Sequence, residues 1–183
     1  MWDVDGRELL DFALGMGPNI WGHGNREYLA AVHTQLDQIF NVAAGMLQTP
    51  NEVYLAEKIV EHVPCAEQVR FGKNGSDATS GAIRVARACT GRDRVAVCGY
   101  HGWQDWYIGS TARNRGVPKA VRDLTHAFPY NDLPALHTLL NAHPGEFAAV
   151  ILEPMNIAEP APGYLAELRE LAHKHGALLV FDE

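Results

Sequence analysis

The sequence has 183 residues, enough for one globular domain or most of one with a substantial core. Its net charge of −7 and the lack of a basic stripe argue against nucleic-acid binding, and no apolar run reaches membrane-spanning length. The N-terminus does not resemble a signal peptide, and three cysteines without metal-ligand spacing are typical of free thiols in a reducing compartment. We therefore expect a cytoplasmic protein.

The N-terminal part of the sequence predicts a loop-rich segment and then a helix. Asp5-Gly6 favours a hairpin turn, and the stretch GMGPNIWGHGN is too irregular for a helix or a strand. Asn25 is expected to cap a helix that extends to about Phe40. Apolar residues fall on one stripe of this helix, at Leu29, Val32, Leu36 and Ile39.

A second helix is expected to begin at Thr49-Pro50, because proline is tolerated in the first turn of a helix. We expect a domain boundary close to this point. Residues 1–50 would form an N-terminal segment, and residues 51–183 would form the first part of a larger domain.

From residue 67 onward the sequence alternates between strand and helix patterns. The predicted strands are 68–72, 94–100, 125–130, 147–154 and 177–183, and the predicted helices are 77–91, 132–143 (capped by Asn131) and 163–176. Strands separated by helices of ten or more residues favour a largely parallel α/β sheet. The final strand, LLVFDE, is apolar up to its two carboxylates, which is typical of a strand buried on both faces.

A candidate anion site lies in RFGKNGSDATSGAIRVAR, where a strand passes through a glycine loop into a helix. Asn74, Gly75 and Ser76 fall at the helix start, where backbone N–H groups lack partners and the helix dipole favours a phosphate. An ordinary helix cap is the alternative interpretation. The spacing does not match a nucleoside-triphosphate P-loop, and GMGPNIWG lacks the strand–turn–helix setting of a dinucleotide fingerprint.

Further candidates follow predicted strands, and ligands bind at the edge where the carboxyl ends of parallel strands meet. Tyr100, with His101 beside it, could stack on a flat heterocycle, whereas Trp103 and Trp106 are expected to pack on the core.

Glu153 and Asp182 place carboxylates at two other strand ends. A phosphate site, a stacking ring and an aspartate along one edge indicate a phosphorylated aromatic cofactor with a protonated ring nitrogen, as in pyridoxal phosphate.

The ordered set of motifs resembles the class III pyridoxal-phosphate aminotransferases, the family that includes glutamate-1-semialdehyde aminomutase. WDVDGRELLDF is similar to the family's early hairpin, GPNIWGHGN to its GP-x-x-x-GH loop, and NGSDATSGAIRVAR to its phosphate loop and helix. YHG, ILEP and LLVFDE follow in the family's order. The resemblance implies an α/β fold: an incomplete large domain of a fold-type I (aspartate-aminotransferase-like) transferase, three-layer α/β/α with a mainly parallel sheet.

The resemblance also implies which residues bind pyridoxal 5′-phosphate. These are Asn74, Gly75, Ser76, Tyr100, His101, Glu153 and Asp182. The first three would hold the phosphate, the tyrosine would stack on the pyridine ring, and the histidine would line the pocket. The glutamate would lie near the ring and its hydroxyl, and the aspartate would pair with the ring nitrogen.

The family's Schiff-base lysine lies beyond the FDE strand, and no lysine of this sequence suits that role. Lys58 and Lys174 fall in amphipathic helices, Lys119 in a predicted loop, and Lys73 would reach only the phosphate. We therefore expect the first part of a longer enzyme, lacking the rest of the large domain and the small domain, and no catalytic residue within the chain.

The resemblance implies that the intact protein moves an amino group between an amino compound and a carbonyl compound, an oxo-acid or semialdehyde, through Schiff-base intermediates. Aminotransferase and aminomutase both fit. The alternative is a non-catalytic protein that binds the cofactor or acts through protein contacts. The family further implies a homodimer with shared active sites, and no metal site is expected because no cluster has ligand spacing.

Overall fold

The computed structural model describes residues 1–39, 42, 47–155 and 157–183. These residues divide into two units, Met1–Val69 and Arg70–Glu183. The domain boundary expected near residue 50 stays a prediction.

The first unit contains a short hairpin and two helices. Trp2 and Glu8 form an antiparallel bridge on either side of the Asp5-Gly6 turn, as predicted. Helix α1 spans Arg26–Gln38 and helix α2 spans Pro50–His62. The predicted end of the first helix at Phe40 lies outside the described residues.

Both helices of the first unit begin at the predicted caps. The Asn25 side chain accepts a hydrogen bond from the Tyr28 N–H at 2.8 Å. Thr49 and Glu52 form a reciprocal capping box in which each side chain bonds the other residue's backbone N–H. Neither helix contains a buried residue, so the apolar stripe predicted on α1 is exposed.

The second unit alternates between helices and strands. In chain order its elements are α3 (Gly75–Thr90), β1 (Arg94–Cys98), α4 (Asp105–Ile108), α5 (Lys119–Arg122), β2 (Thr125–Ala127), α6 (Leu133–Ala142), β3 (Phe147–Leu152), α7 (Tyr164–Lys174) and β4 (Leu178–Phe181).

The strands of the described residues form one four-stranded sheet in the order β2-β1-β3-β4, with every neighbouring pair parallel. One face, including Ala96 and Val150, packs against α6 and α7. The other face, including Val95 and Ala149, packs against α3 and α4. The three-layer α/β/α prediction is therefore confirmed, and all strands deliver their carboxyl ends to one edge.

Two strand predictions are wrong in detail. Residues 68–72 form no strand, because an isolated extended segment needs a hydrogen-bonded neighbour and no described strand pairs with it. Strand β4 is not buried on both faces, because it lies at the edge of the described sheet, with Leu178 39% and Phe181 45% exposed.

Other corrections concern local structure. The cap of α6 is Asp132, which accepts from the Ala135 N–H, whereas Asn131 has a φ of 58° and bonds Glu159 and Ala161 instead. The stretches predicted as loops contain the short helices α4 and α5.

The two loop tryptophans have different environments. Trp106 is buried as predicted, but Trp103 is 69% exposed. No helix in the described part of the chain is long and apolar enough to cross a membrane.

Candidate cofactor site

Three segments of the second unit meet at the carboxyl edge of the sheet. They are the N-terminus of α3, the loop of residues 99–102 that follows β1, and Asp182 at the end of β4. The 99–102 loop contacts both of the others, through His101 in each case.

The N-terminus of α3 has a side-chain cap and also has open space beside its first residue. Asn74 Oδ1 accepts a hydrogen bond from the Asp77 N–H at 3.0 Å, so the ordinary cap interpretation is correct for this side chain. A Cβ placed on Gly75 would meet no atom within 4 Å, which leaves open space at the first helical residue. The cap therefore coexists with exposed helix-start N–H groups that can bind an anion.

The 99–102 loop can form only because both of its ends are glycine. Gly99 has a φ of 104° and Gly102 a φ of 102°, a region that other residues rarely adopt. A Cβ on Gly99 would lie 2.6 Å from Glu153 Oε2, and a Cβ on Gly102 would overlap the Ser76 side chain. The missing side chains thus allow Glu153 and Ser76 to lie against the loop.

Two hydrogen bonds join the loop region to α3. The Trp103 N–H donates to Ser76 Oγ at 3.4 Å, and Thr79 Oγ1 donates to the His101 carbonyl at 2.9 Å. Because Ser76 Oγ accepts from the backbone, its own hydroxyl hydrogen can still donate to a ligand.

His101 links the loop to Asp182. Its side chain is fully buried, with Nδ1 2.8 Å from Asp182 Oδ2 and Nε2 3.1 Å from the Cys98 carbonyl. A carbonyl can only accept, so Nε2 is the donor to Cys98, and the Nδ1–Oδ2 contact joins the ring to the carboxylate. The bond uses one oxygen of Asp182, and Oδ1 can accept from a second donor.

Tyr100 presents its ring at the surface of the site. It is 61% exposed, and its ring meets the Tyr107 ring edge to face at a centroid distance of 5.6 Å. An exposed ring held from one side is suited to stacking on a flat ligand.

Glu153 borders a cavity of about 200 Å³ at the same edge, which is also lined by Cys98, Gly99 and Tyr130. Burial raises the pKa of the Cys98 thiol to about 11, and the negative charge of Glu153 adds to this shift. The thiol is therefore neutral at neutral pH and is not a nucleophile.

The structure brings the predicted residues to one edge. Ser76, His101 and Asp182 are joined through the loop, Glu153 lies against Gly99, and Asn74 and Gly75 begin the adjoining helix. The sequence interpretation missed Thr79 and Tyr107, whose hydroxyls donate hydrogen bonds to backbone carbonyls of the loop. The spacing of Gly99 and Gly102 on either side of Tyr100-His101 is the signal that could have indicated a tightly held loop.

The four lysines lie in exposed positions. Lys58 pairs with Glu61 at 2.6 Å, and Lys119 pairs with Asp123 within and just beyond α5. Lys73 immediately precedes the α3 cap, and Lys174 is in the last turn of α7. In the part of the chain that the structure describes, no three potential ligating side chains cluster as a metal site would require.

Known proteins of similar sequence share one family with this chain. The sequence model of the aminotransferase class-III family matches residues 1–183. A glutamate-1-semialdehyde 2,1-aminomutase of Methanococcus maripaludis is 36% identical over 198 aligned positions, covering 100% of this chain and 46% of that protein.

Solved structures agree with the sequence comparison. An omega-transaminase from Sphaerobacter thermophilus superposes with a TM-score of 0.86 at 34% identity, over 98% of this chain and 45% of that one. A transaminase solved with PLP bound gives a TM-score of 0.87 at 29% identity, over 97% of this chain and 45% of that one. The chain thus spans less than half the length of these relatives.

The family match extends over the full sequence, and the parallel sheet and its carboxyl edge agree with it. The chain belongs to the class III aminotransferase family.

Proposed function

We propose that this chain binds pyridoxal 5′-phosphate at the carboxyl edge of the sheet, and that the whole protein moves amino groups between amino and carbonyl compounds. The observation that carries the proposal is the continuous connection from the α3 N-terminus through the 99–102 loop to Asp182. It joins an open helix N-terminus, an exposed aromatic ring and a carboxylate along one edge.

The residues at this edge fit the cofactor chemically. The N–H groups of Gly75 and Ser76 and the Ser76 hydroxyl would donate to the phosphate, and the α3 dipole would favour its negative charge. Asn74 uses its Oδ1 in the cap, so only its side-chain NH₂ remains to donate.

The ring would be held by three side chains. Tyr100 would stack on one face, and Glu153 would lie near the ring hydroxyl. Asp182 would accept the proton of the ring nitrogen on Oδ1, while His101 fixes its other oxygen. Buried His101 thereby restricts rotation of the Asp182 carboxylate.

Bound in this way, pyridoxal phosphate supplies an electron sink for carbanionic chemistry at an amino-bearing carbon. Asp182 contributes by keeping the ring nitrogen protonated, because a carboxylate next to a cation stabilises the charged form. The buried His101 ring covers one side of the half-buried Asp182 carboxylate and excludes water there. For the chain itself, binding and orienting the cofactor are the only steps proposed.

Transfer of the amino group by the whole protein requires a lysine, which the family resemblance places after the FDE strand. Aminotransferase and aminomutase chemistry both agree with the family. Its members named above include an aminomutase and an omega-transaminase.

We also propose that the protein is a homodimer with shared active sites. The support is the exposed apolar stripe of α1, where Leu29 and Leu36 are each 44% exposed and Val32 and Ile39 are 36% and 41% exposed. Apolar surface on this scale favours a protein partner.

Titration of the purified chain with pyridoxal phosphate tests the binding proposal. Asp182→Ala should weaken the affinity about 10- to 100-fold, because a hydrogen bond to a charged group contributes about 1.5–3 kcal/mol. Ser76→Ala should weaken the binding of pyridoxal phosphate but not of pyridoxal, which lacks the phosphate.

Asp93→Ala is the matched control, since it removes an exposed carboxylate just before β1, at the opposite end of the sheet. Equal affinities for the wild-type, Asp182→Ala and Asp93→Ala chains would contradict the proposed site, as would a wild-type chain that does not bind the cofactor.

The second candidate, a protein that binds the cofactor without covalent attachment, is favoured for the chain alone by the surface ion pairs of Lys58 and Lys119. Borohydride treatment with pyridoxal phosphate, followed by peptide mapping, tests this candidate. A stoichiometric adduct on one of the four lysines would contradict this candidate.

A further inference from the structure

Tyr107, in α4, contacts the 99–102 loop through its hydroxyl and its ring. We propose that Tyr107 is a positioning residue that fixes this loop and thereby sets the orientation of Tyr100 and His101. The inference rests on the proposed function, because these two residues are assigned to the cofactor there.

The Tyr107 hydroxyl holds the first residue of the loop. It donates a hydrogen bond to the Gly99 carbonyl at 2.7 Å, and the residue is only 5% exposed. The ladder between β1 and β3 ends with the pair Cys98 and Leu152, so Gly99 lies beyond the last paired residue of its strand. The Tyr107 hydroxyl therefore donates a hydrogen bond to a carbonyl that lies beyond the pairing of the sheet.

The Tyr107 ring contacts the two candidate side chains. It meets His101 at a centroid distance of 5.3 Å and an interplanar angle of 76°, and Tyr100 at 5.6 Å and 86°. Edge-to-face packing of this kind constrains ring orientation. One residue thus packs against the ring proposed to stack on the cofactor and against the ring that bonds Asp182.

The two ends of the loop are held differently. The far end, at His101 and Trp103, is joined to α3 through Thr79 and Ser76. At the near end, Gly99 has the backbone freedom of a residue without a side chain, and Tyr107 restrains its carbonyl. Loss of the phenol should therefore loosen the near end while the far end stays attached.

The Tyr107 phenol remains a donor at neutral pH. Burial raises its pKa above the ordinary value, and the nearby Tyr100 and Glu153 add to the shift. The hydrogen bond to Gly99 is thus maintained over the range in which the cofactor would bind.

Tyr107→Phe tests the proposal, since it keeps the ring contacts and removes only the hydroxyl. Tyr164→Phe is the matched control, because Tyr164 is also buried, at 3% exposed. Tyr164 packs in the apolar cluster on the other face of the sheet. Circular dichroism melts of both variants verify that each is folded.

The first readout uses the chain without cofactor, labelled with ¹⁵N-histidine. The His101 imidazole signals are assigned by their loss in His101→Asn. Tyr107→Phe should speed hydrogen exchange of the His101 Nε2–H about fivefold, the ratio expected when one hydrogen bond is lost from the loop. Tyr164→Phe should leave this rate unchanged.

The second readout is the dissociation constant for pyridoxal phosphate, which should rise about fivefold in Tyr107→Phe and stay constant in Tyr164→Phe. An unchanged value in either readout for Tyr107→Phe, with a wild-type chain that binds, overturns the inference and leaves the proposed function intact. If the wild-type chain does not bind, the proposed function fails, and the exchange rate alone decides whether Tyr107 positions His101.

Discussion

Gly102 shows how a single residue determines the geometry of the site. Its backbone adopts a φ of 102°, and its missing side chain leaves the space that Ser76 occupies. Any larger residue would strain the backbone and displace the hydroxyl proposed to bind the phosphate.

We predict that Gly102→Ala lowers the free energy of unfolding by about 1–3 kcal/mol, the usual cost of a non-glycine residue in a sparsely populated backbone region. Denaturant titration measures the change, and the variant should also bind pyridoxal phosphate more weakly.

Gly81→Ala is the matched control for this substitution. Gly81 lies within α3, and a Cβ there would meet no atom within 4 Å. Alanine should raise the free energy of unfolding by about 0.5–1 kcal/mol, because glycine is unfavourable inside a helix. Equal effects of the two substitutions would contradict the close packing of Gly102 on Ser76.

Strand-end positions made the candidate residues predictable, but their contacts were not. Tyr100, Glu153 and Asp182 each follow a strand, and parallel strands bring such residues to one edge. The bond between His101 and Asp182 joins residues 81 positions apart and depends on the direction of each side chain. Sequence spacing carries no signal for a contact of that kind.

At the scale of secondary structure, the elements that depend on local signals were predicted best. The caps at Asn25 and Thr49 and the αL residue Gly91 at the end of α3 all act within a few residues of the helix that they bound. The strand expected at 68–72 was wrong because strand formation also depends on a neighbour distant in sequence.

A cluster at the amino ends of the strands makes stability depend on pH. Arg94 donates to the Asp123 carbonyl and to His126 Nε2, and it pairs with Glu146 at 2.6 Å. His126 must be neutral to accept from a guanidinium. Its pKa is lowered by burial first, and then by the positive charges of Arg94 and His143.

We therefore predict that the chain loses stability as the pH falls below about 6.5, the pKa of an unperturbed histidine. The unfolded state then binds a proton that the folded state still excludes, and the loss continues until the lowered pKa of folded His126 is reached. Denaturation midpoints measured between pH 7.5 and pH 5 test this.

His126→Gln should flatten this part of the pH profile, because the substituted side chain does not titrate. His33→Gln, which changes an exposed histidine of α1, should leave the profile unchanged. Identical profiles for the wild-type chain and His126→Gln would show that His126 does not cause the loss.

At the scale of the whole molecule, apolar side chains are exposed on several elements of the described chain, two of which bear on association. One is the stripe on α1, and the other is the edge strand β4, where Leu178 and Phe181 are accessible. Both favour association with further protein.

We predict that the purified chain self-associates, and that Leu29→Glu combined with Leu36→Glu weakens the association more than tenfold. Burial of one leucine contributes about 1.5–3 kcal/mol, and a buried unpaired charge would oppose it. Sedimentation equilibrium measures the change.

Thr34→Glu introduces one such carboxylate on the opposite face of α1, where Thr34 bonds the Ala30 carbonyl of its own helix, and it should leave the association intact. A wild-type chain that remains a monodisperse monomer at all concentrations would contradict the proposed interface.

We propose that α3, the 99–102 loop and β4 form one site for pyridoxal phosphate, and a crystal structure of the chain grown with the cofactor would show whether they do. We expect phosphate density at the N–H groups of Gly75 and Ser76, the ring against Tyr100, and the ring nitrogen within hydrogen-bond distance of Asp182 Oδ1. Cofactor density elsewhere on the chain, or a ring nitrogen facing away from Asp182, would contradict it.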